Sequence, residues 1–270
     1  IYDRTQGGQG DMFKDEVTAV GNAAKGKLNL LENNFAGYVL MSILAGMYIA
    51  LGSILMGIVG GVFTGGGAFS TKLACGIVFS VGLCFVTMAG AELFTGNNLV
   101  MAIGGLKKTV SWGGVVKLWV VCWIGNLIGS VVSAAIFTMT GIPGSGDIGA
   151  FFANAAAGKM GGTPANLFAK AILCNICVCV AIWCGTKLKS EGAKIAMNFC
   201  CVTTFVTCGF EHSIANMTFL SIGLMNQNGV AGITMGGFWY NLAIVTLGNM
   251  VGGILFVAIP YYLITGIKEK

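Results

Sequence analysis

The chain is predicted to be an all-α integral membrane protein with six transmembrane helices, built as an inverted repeat of three plus three with helices 2 and 5 broken. Three observations predict this. Charged residues are 9% of the sequence and the hydrophobic set is 56%, against roughly 25% and 45–50% in an ordinary soluble domain. A chain so poor in charge would not remain in water. Six windows carry apolar runs of the ~20 residues needed to cross a bilayer, at about residues 35–62, 74–105, 113–139, 166–186, 195–222 and 237–265. Finally, the chain echoes itself. FAGYVLMSILAGMYIALG (Phe35 to Gly52) aligns without a gap on FAKAILCNICVCVAIWCG (Phe168 to Gly185), FVTMAGAE (Phe85 to Glu92) on FVTCGFE (Phe205 to Glu211), and IGNLIG (Ile124 to Gly129) on LGNMVG (Leu247 to Gly252). Three crossings per half bring the second half in from the opposite face, and such folds keep their sites at the centre.

Taken in order, residues 1–11 (IYDRTQGGQGD) have no apolar pattern and are set aside as an expression remnant or disordered tail. Residues 12–34 are read as an amino-terminal segment on the cytoplasmic side, and 35–270 as a single transmembrane domain with repeats 35–140 and 166–265. The first apolar run is too long for a signal-peptide core and is followed by five more.

Lys and Arg gather on the cytoplasmic side of short loops. With the amino terminus inside, Arg4, Lys14, Lys25, Lys27, Lys107, Lys108, Lys117, Lys187, Lys189, Lys194, Lys268 and Lys270 are cytoplasmic, and Lys72, Lys159 and Lys170 fall outside. Both termini are then cytoplasmic, in a multi-pass protein of the cell membrane. The same asymmetry accounts for the net charge of +5 without a nucleic-acid partner.

The ten cysteines lie inside the spans. The Cys174, Cys177, Cys179 run is read as apolar packing, because a metal site would want a fourth ligand and a satisfied second shell. No phosphate-binding glycine loop is present, and no cofactor motif or nucleophile–base constellation marks an enzyme.

The second and fifth segments each run to a glycine, meet an acidic residue at membrane depth and continue through polar residues: GAELFTGNN (Gly90 to Asn98) and GFEHSIANM (Gly209 to Met217). Backbone freed from helical bonding within hydrocarbon must be enclosed by protein or line a cavity, and interruptions at matching places in two halves point to a binding site. Glu92, Glu211 and His212 are the ionisable residues in the depth of the spans, where such groups are functional by default. Each Glu is expected to accept hydrogen bonds from freed backbone N–H groups and hold its loop in shape. His212 is assigned to the pathway, where its imidazole can donate to an anion or pass a proton. Phe79 and Leu83 lie four apart on one helix face, and Phe205 stands seven before His212; convergent, they would form dry constrictions.

Together AELFTGN from Ala91, the GFEHSIANM stretch, ILCN ending at Asn175 and VTLGN ending at Asn249 resemble the formate/nitrite transporter family, from about Lys25 to the carboxyl end. The resemblance implies an aquaporin-like bundle with a pore in every protomer of a homopentamer. It implies that Thr95 is the gating or ligand-binding threonine in an Ω-shaped loop, that Leu83, Leu93 and Val178 form the cytoplasmic-side constriction and Phe79 with Phe205 the outer one, and that His212 sits between them. Lys159, Asn175 and Asn249 would belong to an outer anion vestibule, and Lys27 to the cytoplasmic mouth. The GxxxG spacings at Gly125/Gly129 and Gly248/Gly252 are compatible with close helix contacts.

Family members move small monovalent anions of weak acids. The short loop before the sixth span, the cysteine-rich spans and the wording of AELFTGNN resemble the hydrosulfide ion channel branch, so hydrosulfide export is the expectation. Proton-linked formate or nitrite transport, and an aquaporin-like pore for neutral solutes, are the alternatives.

Overall fold

The computed structural model describes residues 13–266; the tail 1–11, Arg4, Lys268 and Lys270 lie outside them. The described residues are helical: α1 (Lys14–Asn33), α2 (Phe35–Gly65), α3 (Thr71–Ala89), α4 (Phe94–Leu106), α5 (Trp112–Met139), α6 (Gly146–Met160), α7 (Pro164–Lys187), α8 (Glu191–Thr207), α9 (Ser213–Met225), α10 (Met235–Gly253), a π-turn (Ile254–Ala258) and α11 (Ile259–Ile264). Among them, five helical stretches are long and apolar enough to cross a membrane: α2, α3, α5, α7 and the run Met235–Ile264. The fifth window, 195–222, is divided at residues 208–212 between α8, which has 17 residues, and α9.

The outer helices carry their apolar residues outward. On α5, Val116, Val120, Ile124, Ile128, Val132 and Ile136 recur at every fourth position and are all exposed. An apolar stripe of that length would be an aggregation surface in water and is an ordinary one in lipid.

The two inner helices are the reverse. Every residue of α4 from Phe94 to Gly105, and of α9 from Ser213 to Gly223, is buried. Each helix has 13 residues, about 20 Å of rise against ~30 Å of hydrocarbon. They are enclosed by protein and form the core of the molecule.

Pairings between helices repeat across the halves. α2 packs on α5 as α7 packs on α10, and α1 packs on α4 as α6 packs on α9. The repeat therefore includes α1 and α6, outside the boundaries 35–140 and 166–265 that apolar runs suggest. Both helices are too mixed in composition to register as spans; α1 instead buries the stripe Val17, Val20, Gly21, Ala24, Leu28 and Leu31, an amphipathic helical spacing.

The gap-free alignment of Phe35 on Phe168 is corrected by one helical turn. Glu92 N–H donates to Met41 O and Glu211 N–H to Lys170 O. A Cβ on Gly129 would stand 2.0 Å from Ile43 O, and one on Gly252 would stand 2.3 Å from Ile172 O. α2 starts at Phe35 and α7 at Pro164. All three comparisons set the helices four residues away from the sequence alignment. Because four residues nearly complete a 3.6-residue turn, the slip keeps the same face inward and the apolar matches survive it. These contacts also show that both GxxxG pairs pack against helices of their own chain.

Candidate functional site

Each half ends one helix and starts an enclosed one by the same device. Gly90 (φ 79°) and Gly209 (φ 71°) turn the chain through the left-handed region as α3 and α8 end, a conformation that glycine adopts without steric cost. The next helix is then capped from a distant one. Asn126 Oδ1 on α5 accepts from Phe94 N–H at 2.9 Å, while its Nδ2 donates to Glu92 O at 2.9 Å and Ser42 O at 2.7 Å. Asn249 Oδ1 on α10 accepts from Ser213 N–H at 2.9 Å, and its Nδ2 donates to Glu211 O at 2.9 Å and Ala171 O at 2.8 Å. Two buried amides thus satisfy backbone groups that lipid could not.

This corrects the roles expected of the glutamates. The Glu92 carboxylate accepts from Lys27 Nζ and from Asn97 Nδ2 at 2.9 Å, with the Tyr38 hydroxyl at 3.4 Å. Glu211 accepts from Lys159 Nζ at 3.0 and 3.1 Å and from Asn216 Nδ2 at 2.6 Å. Lysines on α1 and α6 occupy these carboxylates because those helices lie against α4 and α9, while Asn126 and Asn249 meet the backbone. The Glu92 and Glu211 side chains are 6% and 8% exposed, their lysines 25% and 19%. Each pair stands at the boundary between core and cavity.

A cavity adjoins each pair. One, of about 560 Å³, is lined by Lys27, Glu92, Leu93, Asn97, Lys194 and Asn198 among others. The other, of about 370 Å³, is lined by Phe79, Lys159, Lys170, Phe205, Glu211 and His212 among others. Phe79 and Phe205 meet edge to face, 6.0 Å between ring centres, and Phe205 stacks on His212 at 5.8 Å.

Thr95 on α4 meets His212 ahead of α9. It follows Leu93 by two residues, and its Oγ1 lies 3.0 Å from His212 Nε2. Thr95 is fully buried and His212 is nearly so. The structure places Thr95 in the first turn of α4, and the loop before it holds only residues 90–93, shorter than the six residues of an Ω-loop. Leu83 and Val178 are buried in the same apolar core as Leu93.

Asn175 and Asn249 are corrected as vestibule residues. Both are fully buried. Asn175 Nδ2 donates to Asn249 O at 2.6 Å and Thr95 O at 3.3 Å, so its amide ties α7 to α10 and α4.

The other imidazole nitrogen fixes the tautomer. His212 caps α9, its Nδ1 accepting from Ala215 N–H at 3.1 Å. A nitrogen that accepts carries no proton, so neutral His212 bears its proton on Nε2 and donates toward Thr95. To release a proton and stay neutral, His212 must first carry a second one at Nδ1, and this breaks the cap.

Sequence reasoning missed Asn97, Asn126, Asn216 and Tyr38. A signal existed for Asn126: it is the third residue of IGNLIG, and the echo LGNMVG places Asn249 at the same point. Asn97 and Asn216 each follow their glutamate by five.

Helix pairings that repeat between the halves, long apolar helices with outward apolar faces and a buried threonine–histidine pair mark a multi-pass membrane protein. Comparison with known proteins narrows the class. A family described as Formate/nitrite transporter matches residues 14–263, and the chain belongs to this family. It is 33% identical over 269 residues to the nitrite transporter NirC of Salmonella typhimurium, covering 96% of this chain and 94% of that one. It is 38% identical over 249 residues to a probable formate transporter of Methanothermobacter thermautotrophicus, covering 86% and 89%. Among solved structures, an FNT family ion channel superposes with a TM-score of 0.88 at 31% identity, over 93% of this chain and 99% of that one. A pentameric formate channel with formate bound gives 0.74 at 30% identity, over 86% and 98%.

Proposed function

We propose that the chain is a selective channel or transporter for small monovalent anions of weak acids. The observation that carries the reading is the buried Thr95–His212 pair, with His212 lining a cavity that holds Lys159 and the α4 residues Gly96 and Asn97 lining one that holds Lys27. Anions gather near Lys159, or near Lys27 at the opposite end. They cross the apolar slits formed by Phe79 and Phe205, and by Leu83, Leu93 and Val178, with the His212 Nε2–H as a fixed donor. The occupied Nδ1 supports passage with that N–H donating over passage by proton transfer from His212. On this reading α3 with α4, and α8 with α9, form the second and fifth of six crossings. Both termini are cytoplasmic, and five copies assemble.

Within the class, hydrosulfide is the anion we propose, on the cysteine-rich spans and the wording of AELFTGNN. Formate or nitrite is the second reading, favoured by the names of the relatives. Stopped-flow uptake of hydrosulfide, formate and nitrite into proteoliposomes tests both, with empty liposomes subtracted because neutral hydrogen sulfide crosses lipid unaided. Protein-dependent flux led by hydrosulfide supports the first reading, and flux led by formate or nitrite replaces it with the second. Flux of none of the three sinks the anion reading.

A further inference from the structure

We propose that Asn98 and Asn175, beside the π-turn after Gly253, hold one ordered water molecule as a built-in part of the core. Asn98 is fully buried on α4, and neither its Nδ2 nor its Oδ1 has a protein partner among the described residues; the same is true of Asn175 Oδ1. These groups are neighbours. A Cβ built on Gly253 would lie 3.0 Å from Asn98 Cβ and 2.8 Å from Asn175 Nδ2, so both side chains converge where α10 gives way to the π-turn. π-turns widen a helix locally and accompany functional positions. A buried amide without partners is costly, and such groups in folded proteins are met by protein or by ordered water.

The donor and acceptor count selects the ligand. The site offers two amide oxygens and one amide nitrogen, and rotating the Asn98 amide by half a turn leaves that set unchanged. An anion would face two oxygens. A cation would face the amide nitrogen. Water donates two hydrogen bonds to the oxygens and accepts one from the nitrogen, the three partners usual for a buried water. The neighbouring atom of Asn175, its Nδ2, already holds Thr95 O and Asn249 O. Through that one amide the water is tied to the residue that faces His212.

The test is an experimental density map of the unmodified protein at a resolution better than about 2 Å, paired with thermal unfolding of Asn98→Leu, which keeps the branched four-atom side chain and removes its polar atoms. The expected map shows a peak within hydrogen-bonding distance of both Asn98 and Asn175. The expected variant melts lower by roughly 3–8 °C, since Asn175 and the water lose their partner. A map in which Asn98 bonds only to protein groups, or to nothing, overturns the proposal, as does a variant that melts at or above the unmodified protein. If Asn98→Leu fails to fold, the map alone decides. Neither readout measures transport, so failure here is distinct from failure of the anion reading.

Discussion

Asn126 and Asn249 make the same three hydrogen bonds in opposite halves of the chain. Each accepts the first N–H of an enclosed helix, and each donates to the carbonyl of the nearby glutamate and to a carbonyl on a neighbouring long helix. The core of the molecule is hung from these two amides.

Their removal should be costly in both halves. Asn126→Ala or Asn249→Ala strands a buried N–H and two buried carbonyls, and each change should destabilise the protein by about 2–4 kcal/mol. Thermal unfolding in detergent measures it. A loss below about 1 kcal/mol in either variant would show that water takes over the amide's bonds.

The ion pairs should behave as units. Lys159→Met leaves the Glu211 carboxylate nearly buried without its cation, a change expected to cost about 3–5 kcal/mol. Adding Glu211→Leu should restore much of that loss. If the double variant is less stable than Lys159→Met, Glu211 is held by Asn216 and the pairing is incidental.

The tautomer of His212 is directly observable. The chain has one histidine, so uniform ¹⁵N-histidine labelling yields a single imidazole in the spectrum. Near neutral pH, Nδ1 should resonate as an unprotonated acceptor and Nε2 as a protonated donor. The opposite assignment would contradict the Ala215 cap.

Transport should distinguish a fixed donor from a proton relay. His212→Asn can keep both a cap acceptor and a donor, and should pass anions at about one-tenth of the original rate with the same pH profile. His212→Phe should pass none. Abolished flux in His212→Asn at every pH would favour the relay, whereas an unchanged rate and pH profile would remove His212 from the pathway.

Glycine positions give a stability contrast. Gly252→Ala places a methyl 2.3 Å from Ile172 O and should force α7 and α10 apart, with a loss of roughly 3 kcal/mol or more. Gly26→Ala meets nothing within 4 Å on α1 and should be neutral or stabilising by up to about 1 kcal/mol. Similar unfolding temperatures for the two variants would mean that α7 and α10 repack freely.

The legible parts of this fold were those with a local signature. Apolar runs, the two glycines that end α3 and α8, and the glutamates beyond them were visible because each follows from its immediate neighbours in the chain. The lysine partners were not, since Lys27 and Lys159 stand on α1 and α6, helices with no long apolar run. Their pairing follows from how α1 lies on α4 and α6 on α9. The one-turn slip between α2 and α7 escaped for another reason: apolar identity on a helix face barely distinguishes a register from the next turn along it. Asn175 shows the same limit. Its vestibule role was implied by the family resemblance alone, and only the approach of α4 and α10 reveals it as a buried tie.

The enclosure of α4 and α9 also sets an order of assembly. Helices of thirteen residues that carry asparagine and threonine side chains can neither cross the bilayer nor rest in lipid alone, so both helices settle only after the longer ones have built walls around them. For α4 one of those walls is α7, which is synthesised later. Nascent chains halted after Thr140 should therefore leave α4 open to lipid-side crosslinkers that the finished protein excludes. The first half waits for the second before its core can close.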